Sequence, residues 1–259
     1  MAAPQNRPDT RPRYRRTASA ALAIGLICTG AAQAQDAARK NVTLLGIPSA
    51  TVAPTGLAFA ALTGTTKRDG VVDEVDGSLA LGFGLGSAED GVGVQVALFN
   101  TSLTDNFGDS GYLQVKFSRR IAAGTMPTYV GVSLGQLANW GDASGRDVTA
   151  ALAVTSFAQV HFKPGGEAYP VMMTAGIANN VRNNDRDPGV FLGAGIGLTE
   201  SFGVSAAWSG EDVDIGGSLR IKGLKNVGLT ATLNDAFDQN DSRRMTFSVF
   251  LAVPNAFGG

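Results

Sequence analysis

The feature that most constrains the fold of this chain is a strict alternation of large and very small side chains, clearest in residues 78–87, SLALGFGLGS. The large apolar positions are Leu79, Leu81, Phe83 and Leu85, and the positions between them are serine, alanine and glycine. Successive side chains of a β-strand point to opposite faces, so this stretch is predicted to be a strand with one bulky face and one nearly bare face. A half-buried strand of a soluble protein normally presents polar side chains to water at every second position.

The same period-2 pattern recurs from residue 56 onward, and no helical or heptad periodicity accompanies it. It predicts twelve strands, at about residues 56–66, 77–87, 91–102, 111–120, 127–138, 148–161, 169–180, 188–198, 202–209, 213–222, 226–235 and 243–253. The bulky face of these strands is represented by Leu79, Leu81, Phe83, Leu85, Val94, Val96, Val130, Val132, Leu192, Ile196, Leu229, Phe247 and Val249.

The connections between the predicted strands alternate in length and composition. Those after odd-numbered strands are longer and rich in Asp, Asn and Gly, for example TKRDGVVDEVD and NNVRNNDRDPG. Those after even-numbered strands are mostly shorter, for example SAED and TES. Bacterial outer-membrane barrels have short periplasmic turns, longer outer loops and usually an even number of strands. The alternation of longer and shorter connections therefore favours a transmembrane barrel with both ends of the chain in the periplasm.

Two interpretations of the bare face compete. In a soluble periplasmic β-domain this face would be the surface, but such a surface carries roughly a quarter charged residues or more. Few charges lie on the predicted strands, and a surface rich in Gly and Ala would leave strand backbones open to association. In a transmembrane barrel the bulky face contacts lipid and the small face lines a lumen. The predicted fold class is therefore all-β, an antiparallel transmembrane β-barrel with short periplasmic turns and longer acidic outer loops.

The first 34 residues have the composition of a cleaved secretory signal peptide. Five arginines precede the apolar stretch ASAALAIGLICTGAA, and Ala32-Gln33-Ala34 matches the A-x-A cleavage pattern. The apolar run is shorter than the roughly 20 residues that cross a bilayer as a helix. The single cysteine, Cys28, lies in this peptide, so the mature chain is expected to have no disulfide and no thiol chemistry. The predicted organisation is a signal peptide (1–34), a periplasmic lead-in (35–55) and a β-barrel domain (56–259).

The strand segments resemble bacterial outer-membrane β-barrel proteins as a broad, porin-like class. The resemblance rests on SLALGFGLGS, VGVQVALF, YVGVSLG, VFLGAGIGL and VGLTATLN. It implies export to the outer membrane, contact with outer-membrane lipid and lipopolysaccharide, and insertion by the barrel-assembly machinery. Such proteins commonly end on an aromatic residue that closes the last strand, whereas this sequence ends PNAFGG.

The charge of the chain argues against nucleic acid as a partner. The full sequence has 21 Lys and Arg and 22 Asp and Glu, and the predicted signal peptide removes five arginines and one aspartate, which leaves a net charge of −5. A nucleic-acid-binding domain is normally basic. The sequence leaves open whether the protein forms a homo-oligomer.

Four basic residues are predicted to lie on the lumen face of two strands. Lys116 and Arg120 share the face of Ser118, and Arg220 and Lys222 share the face of Ser218. Cations that line a pore favour the passage of anions. The alternative is that these side chains pair with Asp214, with loop carboxylates or with lipid phosphates.

The sequence predicts neither an enzyme nor a cofactor or metal site. His161 is the only histidine, and it lies in QVHFKPGG, which matches no nucleophile elbow and no zinc-binding motif. The acidic loops do not fit the calcium-binding loop pattern and are explained by turn formation.

The favoured function is a passive channel for small polar or anionic solutes, because a wide barrel lined by small residues should enclose water-filled space. The alternatives are a structural or surface-interaction barrel without transport, and a soluble periplasmic β-domain.

Overall fold

The computed structural model describes residues 40–66, 76–101, 103, 107–183, 186–224, 226–240 and 243–257. The predicted signal peptide, residues 1–34, lies outside these ranges, as do residues 35–39 of the predicted lead-in. Within the described ranges no helix is long and apolar enough to cross a membrane.

Within the described residues, twelve β-strands form at the positions that the alternation predicts. Their bounds are β1 Ala58–Thr65, β2 Asp76–Gly86, β3 Gly93–Asn100, β4 Gly111–Ala122, β5 Thr128–Trp140, β6 Thr149–His161, β7 Ala168–Arg182, β8 Asp187–Gly197, β9 Phe202–Trp208, β10 Val213–Arg220, β11 Val227–Asn234 and β12 Arg244–Val253. A 3-10 helix, Gly141–Ala143, follows β5.

Each strand pairs with its two sequence neighbours, and the ring closes between the first and last strands. β1 pairs with β12 in antiparallel register, from Ala58 opposite Val253 to Thr65 opposite Thr246. Closure leaves no unpaired sheet edge, so the backbone groups of the wall are satisfied within the sheet. The prediction of an antiparallel barrel of twelve strands is confirmed.

The connections divide the barrel into two ends. One end, here called the short-turn end, carries 87–92, 123–127, 162–167, 198–201 and 221–226. The opposite end, called the long-loop end, carries the three longest connections, 66–75, 101–110 and 235–243. The predicted long loop NNVRNNDRDPG is different in the structure. β7 continues to Arg182, which pairs with Asp187 of β8, so most of this polar stretch belongs to a projecting hairpin.

The small face of the wall points inward and the bulky face points outward. Ala80 and Ala97 are fully or almost fully buried inside the barrel, whereas Leu81 is exposed on the outside. The register explains this separation, because Leu81 lies opposite Ala60 and Leu98 while Gly82 lies opposite Phe59 and Ala97. Cross-strand neighbours therefore share a face, and the alternation of each strand extends around the ring.

The interior of the barrel is filled rather than open. A barrel of about eight strands is just wide enough to be filled by its own side chains, and a wider one encloses additional space. Here residues 40–54, which the sequence pattern suggests as a lead-in outside the barrel, run through that space and are mostly buried. We call residues 40–54 the lumen segment.

Candidate functional site: the occupied lumen

The lumen segment enters and leaves at the same end of the barrel. At its start, the Asn41 backbone N–H donates to the Thr199 carbonyl in the β8–β9 turn over 2.8 Å. At its far side, the Thr55 hydroxyl donates to the Gly86 carbonyl at the end of β2. Between these points the segment reaches Asp214, at the long-loop end of β10, where Gly46 makes the bend with a positive φ of 90°. The segment is therefore a loop that crosses the lumen, turns, and returns.

Glycines of the wall make room for both arms of this loop. A Cβ atom on Gly216 would lie 2.8 Å from Cδ1 of Leu45, and one on Gly131 would lie 2.8 Å from Cα of Ala50. A Cβ on Gly84 would overlap the Ala53 carbonyl. The bare face recognised in the sequence thus lines a lumen, but the space that it leaves is occupied by the chain itself.

Wall side chains satisfy the backbone of the lumen segment. The segment has no strand neighbour, so its buried N–H groups need other acceptors. Leu45 N–H donates to Ser205 Oγ over 3.2 Å, and Ala50 N–H donates to Thr155 Oγ1 over 2.8 Å. Ala53 N–H donates to the side-chain oxygen of Gln95 over 2.9 Å. The Ser, Thr and Gln side chains on the small, inward face of the wall therefore accept hydrogen bonds from the backbone of the lumen segment.

Apolar side chains of the segment form a core with the wall. Leu44 and Ile47 are 1% and 2% exposed and belong to one cluster with Tyr129, Met172 and Phe191. A second cluster joins the end of the segment to β1, β2, β3 and β4, and its members are Ala53, Phe59, Ala61, Ala80, Ala97, Phe99 and Tyr112. These two clusters lie inside the barrel, so the hydrophobic effect holds the loop in place.

The start of the segment is fixed by polar contacts. The Asn41 side-chain amide donates to Ser218 Oγ over 2.9 Å and to the Ser201 carbonyl over 3.1 Å. Lys40 Nζ lies 2.8 Å from Glu167 Oε1 and 3.4 Å from the centre of the Tyr169 ring. Lys40 is the main cause that lowers the pKa of Glu167, through its close approach and its charge, and the Tyr169 hydroxyl acts in the same direction.

The four predicted lumen cations do not form one site. Arg120 forms an ion pair with Glu89 of the β2–β3 turn at 3.5 Å, which agrees with the alternative that these cations pair with loop carboxylates. The Lys116 side chain is buried. Arg220 is half-buried at the short-turn end of β10. β10 ends at Arg220, so Lys222 lies in the following turn, where it is exposed, and not on the lumen face as predicted. β4 and β10 are six strands apart in the ring, on opposite sides of the lumen.

An acidic network closes the long-loop end beside the bend of the segment. Asp235 is fully buried and accepts hydrogen bonds from the backbone N–H groups of Gln239 and Asn240, at 2.7 and 3.1 Å. Its own N–H donates to Asp214 Oδ1 over 3.1 Å. Burial raises the pKa of the neighbouring Asp212, which accepts a hydrogen bond from the Asn240 side chain. These contacts hold residues 235–240 of the β11–β12 loop in place. No group of three or more His, Cys, Asp or Glu among the described residues could hold a metal ion.

His161 is exposed at the end of β6 and its Nδ1 lies 2.9 Å from the Gly166 carbonyl, a contact within its own turn. This contact accounts for His161 as a residue of the β6–β7 turn.

The outer face of the barrel is a continuous apolar surface. Leu192 and Phe247 are 54% and 48% exposed, and other large apolar side chains are exposed beside them on most strands. The residues singled out as the bulky face lie on this outward side. Phe257, near the C-terminus, packs edge-on against Phe83 with ring centres 5.5 Å apart. The aromatic residue near the chain end therefore contacts the outer surface of β2.

Sequence reasoning missed the lumen segment, although a signal for it is present. Residues 41–54, NVTLLGIPSATVAP, contain no charged side chain, which is unusual for a solvated lead-in. The segment also lacks a clear strand or helix period, so the pattern that located the strands could not assign it a partner.

No family model matches this chain, and no curated protein matches it. Among solved structures, the outer membrane protein Omp33 of Acinetobacter baumannii is 12% identical and has a TM-score of 0.45, with 76% of this chain and 97% of that one covered. The COG4313 outer membrane channel from Pseudomonas putida F1 is 11% identical with a TM-score of 0.47, covering 81% and 100%.

Proposed function

We propose that this protein is a β-barrel of the bacterial outer membrane, with its apolar outer face in contact with lipid. Closed barrels and helices are the structures that satisfy every backbone hydrogen bond in a bilayer. An exposed apolar surface that surrounds the whole barrel is unfavourable in water, and contiguous apolar patches beyond a few hundred Å² mark interaction sites. Outer-membrane lipid and lipopolysaccharide are the expected partners of this surface, and the barrel-assembly machinery is the expected insertion route.

Within the membrane, we propose that the protein is a porin-like channel that is closed in the state described. The observation that carries this proposal is that the lumen segment fills the interior without joining the sheet. A backbone hydrogen bond from Asn41 to Thr199 holds its start, and its other contacts given above are side-chain hydrogen bonds and apolar packing, whereas the wall is hydrogen-bonded strand to strand around the ring. Because the lumen segment is not a strand of the sheet, it can move while the wall stays intact.

The solutes that we propose are small and polar or anionic. Arg220 supports this assignment, because it is half-buried on the lumen face and has no ion pair within the described part of the chain. Arg120 contributes less, since Glu89 compensates its charge. We propose no catalytic activity for this protein.

A structural barrel without transport is the second candidate, and the two apolar clusters inside the lumen favour it. In that case residues 40–54 are a permanent part of the core, and their removal destabilises the protein without opening a path.

The two candidates are separated by deletion of residues 40–54 from the full chain, with residues 1–39 retained so that the predicted export signal is unchanged. We expect the wild type to show rare, brief conductance in planar bilayers and the deletion variant to show steady conductance. The shift in gel mobility between unheated and boiled samples checks that both barrels are folded. A folded deletion variant that conducts no more than the wild type would favour the structural barrel.

A further inference from the structure

We infer that Lys40 and Asn41, together with Glu167, Tyr169 and Ser218, form a latch that keeps the lumen segment closed. This inference rests on the proposed channel function and names the place where opening begins. We refer to these five residues as the latch.

The two ends of the lumen segment are held in different ways. The C-terminal end continues directly into β1, so this end stays attached to the wall in every state. The N-terminal end is held at Lys40 and Asn41 by noncovalent contacts with three other parts of the barrel. Any exit of the segment therefore begins with the release of Lys40 and Asn41, while the connection to β1 acts as the hinge.

Lys40 is bound more firmly than a surface lysine. Its side chain is 7% exposed, and its ammonium group has an aromatic face and a carboxylate as partners. Tyr169 also donates a hydrogen bond to Glu167 over 3.2 Å, which fixes the carboxylate beside Lys40. A desolvated cation over an aromatic ring is worth more than an exposed one. Glu167 is 67% exposed, so water can reach the carboxylate side of the latch.

Asn41 adds a second, fully buried anchor. Its amide donates to Ser218 Oγ and Ser201 O, with a longer contact of 3.3 Å to the Ser218 carbonyl. Ser218 is 1% exposed, so loss of the Asn41 amide would leave its hydroxyl and carbonyl without this donor. The anchor joins the segment to β10, across the barrel axis from the strands that meet its second arm.

The docked state leaves several buried polar atoms without a hydrogen bond, and two of them, Lys40 Nζ and Asn41 Oδ1, belong to the latch itself. Thr43 Oγ1 and Ser118 Oγ are buried without a hydrogen-bond partner. Ser118 lies opposite Gly93 and Gly131 in the register, the two glycines that face Val52 and Ala50 of the segment. Water could reach these oxygens only after the segment leaves the wall. The closed state therefore depends on favourable contacts elsewhere, and the ion pair, the cation–π contact and the Asn41 amide bonds of the latch supply them at the end that must move first.

The test measures access to the segment and conductance in the same variants. Ala50 is 1% exposed, and the mature chain is expected to have no cysteine, so Ala50→Cys provides a single thiol that reports undocking. A membrane-impermeant maleimide is the probe. Lys40→Met in this background should raise the labelling rate and the open probability by about tenfold, the scale of losing a partly desolvated cation–π contact and its ion pair. Lys163→Met is the matched control, because Lys163 is exposed in the same turn as Glu167.

Two further variants keep the inference testable if Lys40→Met does not fold. Glu167→Gln removes only the exposed charge and should raise the labelling rate less than Lys40→Met does. Ser218→Ala removes the hydroxyl that accepts a hydrogen bond from Asn41. It should raise the labelling rate independently of Glu167→Gln.

The outcomes separate the latch from the channel. If all latch variants label and conduct like Lys163→Met while the deletion variant conducts, the latch is rejected and the channel stands. If the latch variants label faster but the deletion variant does not conduct, the segment is latched in a barrel that is not a channel. Faster labelling together with a higher open probability supports both.

Discussion

The packing of Ile47 predicts how strongly the lumen segment is docked. Ile47 lies next to the bend, is 2% exposed and packs in the cluster that includes Tyr129 and Phe191. Truncation of a buried isoleucine to alanine costs about 2–5 kcal/mol, because transferred area is lost and a cavity remains. We expect Ile47→Ala to destabilise the docked lumen segment by about 2–4 kcal/mol, since a loop can relax around a small cavity more easily than a sheet can.

This loss should fall on docking of the segment and not on the wall. The wall strands are hydrogen-bonded to one another around the ring, so movement of the segment need not break any bond between them. At about 1.4 kcal/mol per tenfold change, the equilibrium between docked and undocked segment should shift by about 30-fold to 1,000-fold. The labelling rate of Ala50→Cys should rise by the same factor when docking and undocking are fast relative to labelling.

The assay compares Ile47→Ala with Leu81→Ala, which truncates a large apolar side chain on the outer face. We expect the control to leave the labelling rate of the Ala50→Cys thiol unchanged. The reasoning is refuted if Ile47→Ala lowers the temperature at which the unheated gel mobility is lost but leaves the labelling rate unchanged. The segment and the wall would then unfold as one unit.

Two further predictions concern charges at the ends of the barrel. In the variant that lacks residues 40–54, Arg220→Gln should reduce the preference of the channel for anions, and Lys222→Gln should leave it unchanged. The preference is measured as the reversal potential in a salt gradient. Equal effects of the two substitutions would contradict a position of Arg220 in the lumen. Burial raises the pKa of Asp212 above its ordinary value of 3.8, so the folded state favours the protonated carboxyl and the stability from this group declines as the pH rises through the raised pKa. Asp212→Asn should therefore raise the unfolding temperature at pH 8 and have little effect below pH 3.8; an equal gain at both pH values would contradict this account.

The sequence by itself determined the wall of the barrel. The alternation at Leu79 to Gly86 is a local property, because side chains of a strand point to opposite faces whatever the strand pairs with. Repeated twelve times with short connections, it specifies the strands, their order and the face that each side chain occupies. This is why the observed strands differ from the predicted ones mainly at their ends, as at β7, where Arg182 and Asp187 extend a hairpin beyond the predicted strands.

The tertiary structure alone decided what fills the barrel. Ala50 donates a hydrogen bond to Thr155, which is 105 residues away in the sequence. This contact needs a closed ring, because only closure creates a lumen that is lined by glycine and carries Ser and Thr acceptors on its wall. The pairing of Arg120 with Glu89 and the exposure of Lys222 likewise depend on where turns end, which periodicity leaves undefined. Volume and hydrogen-bond satisfaction inside a closed barrel are properties of the whole ring. An uncharged stretch before the first strand therefore acquires its place only when that ring exists.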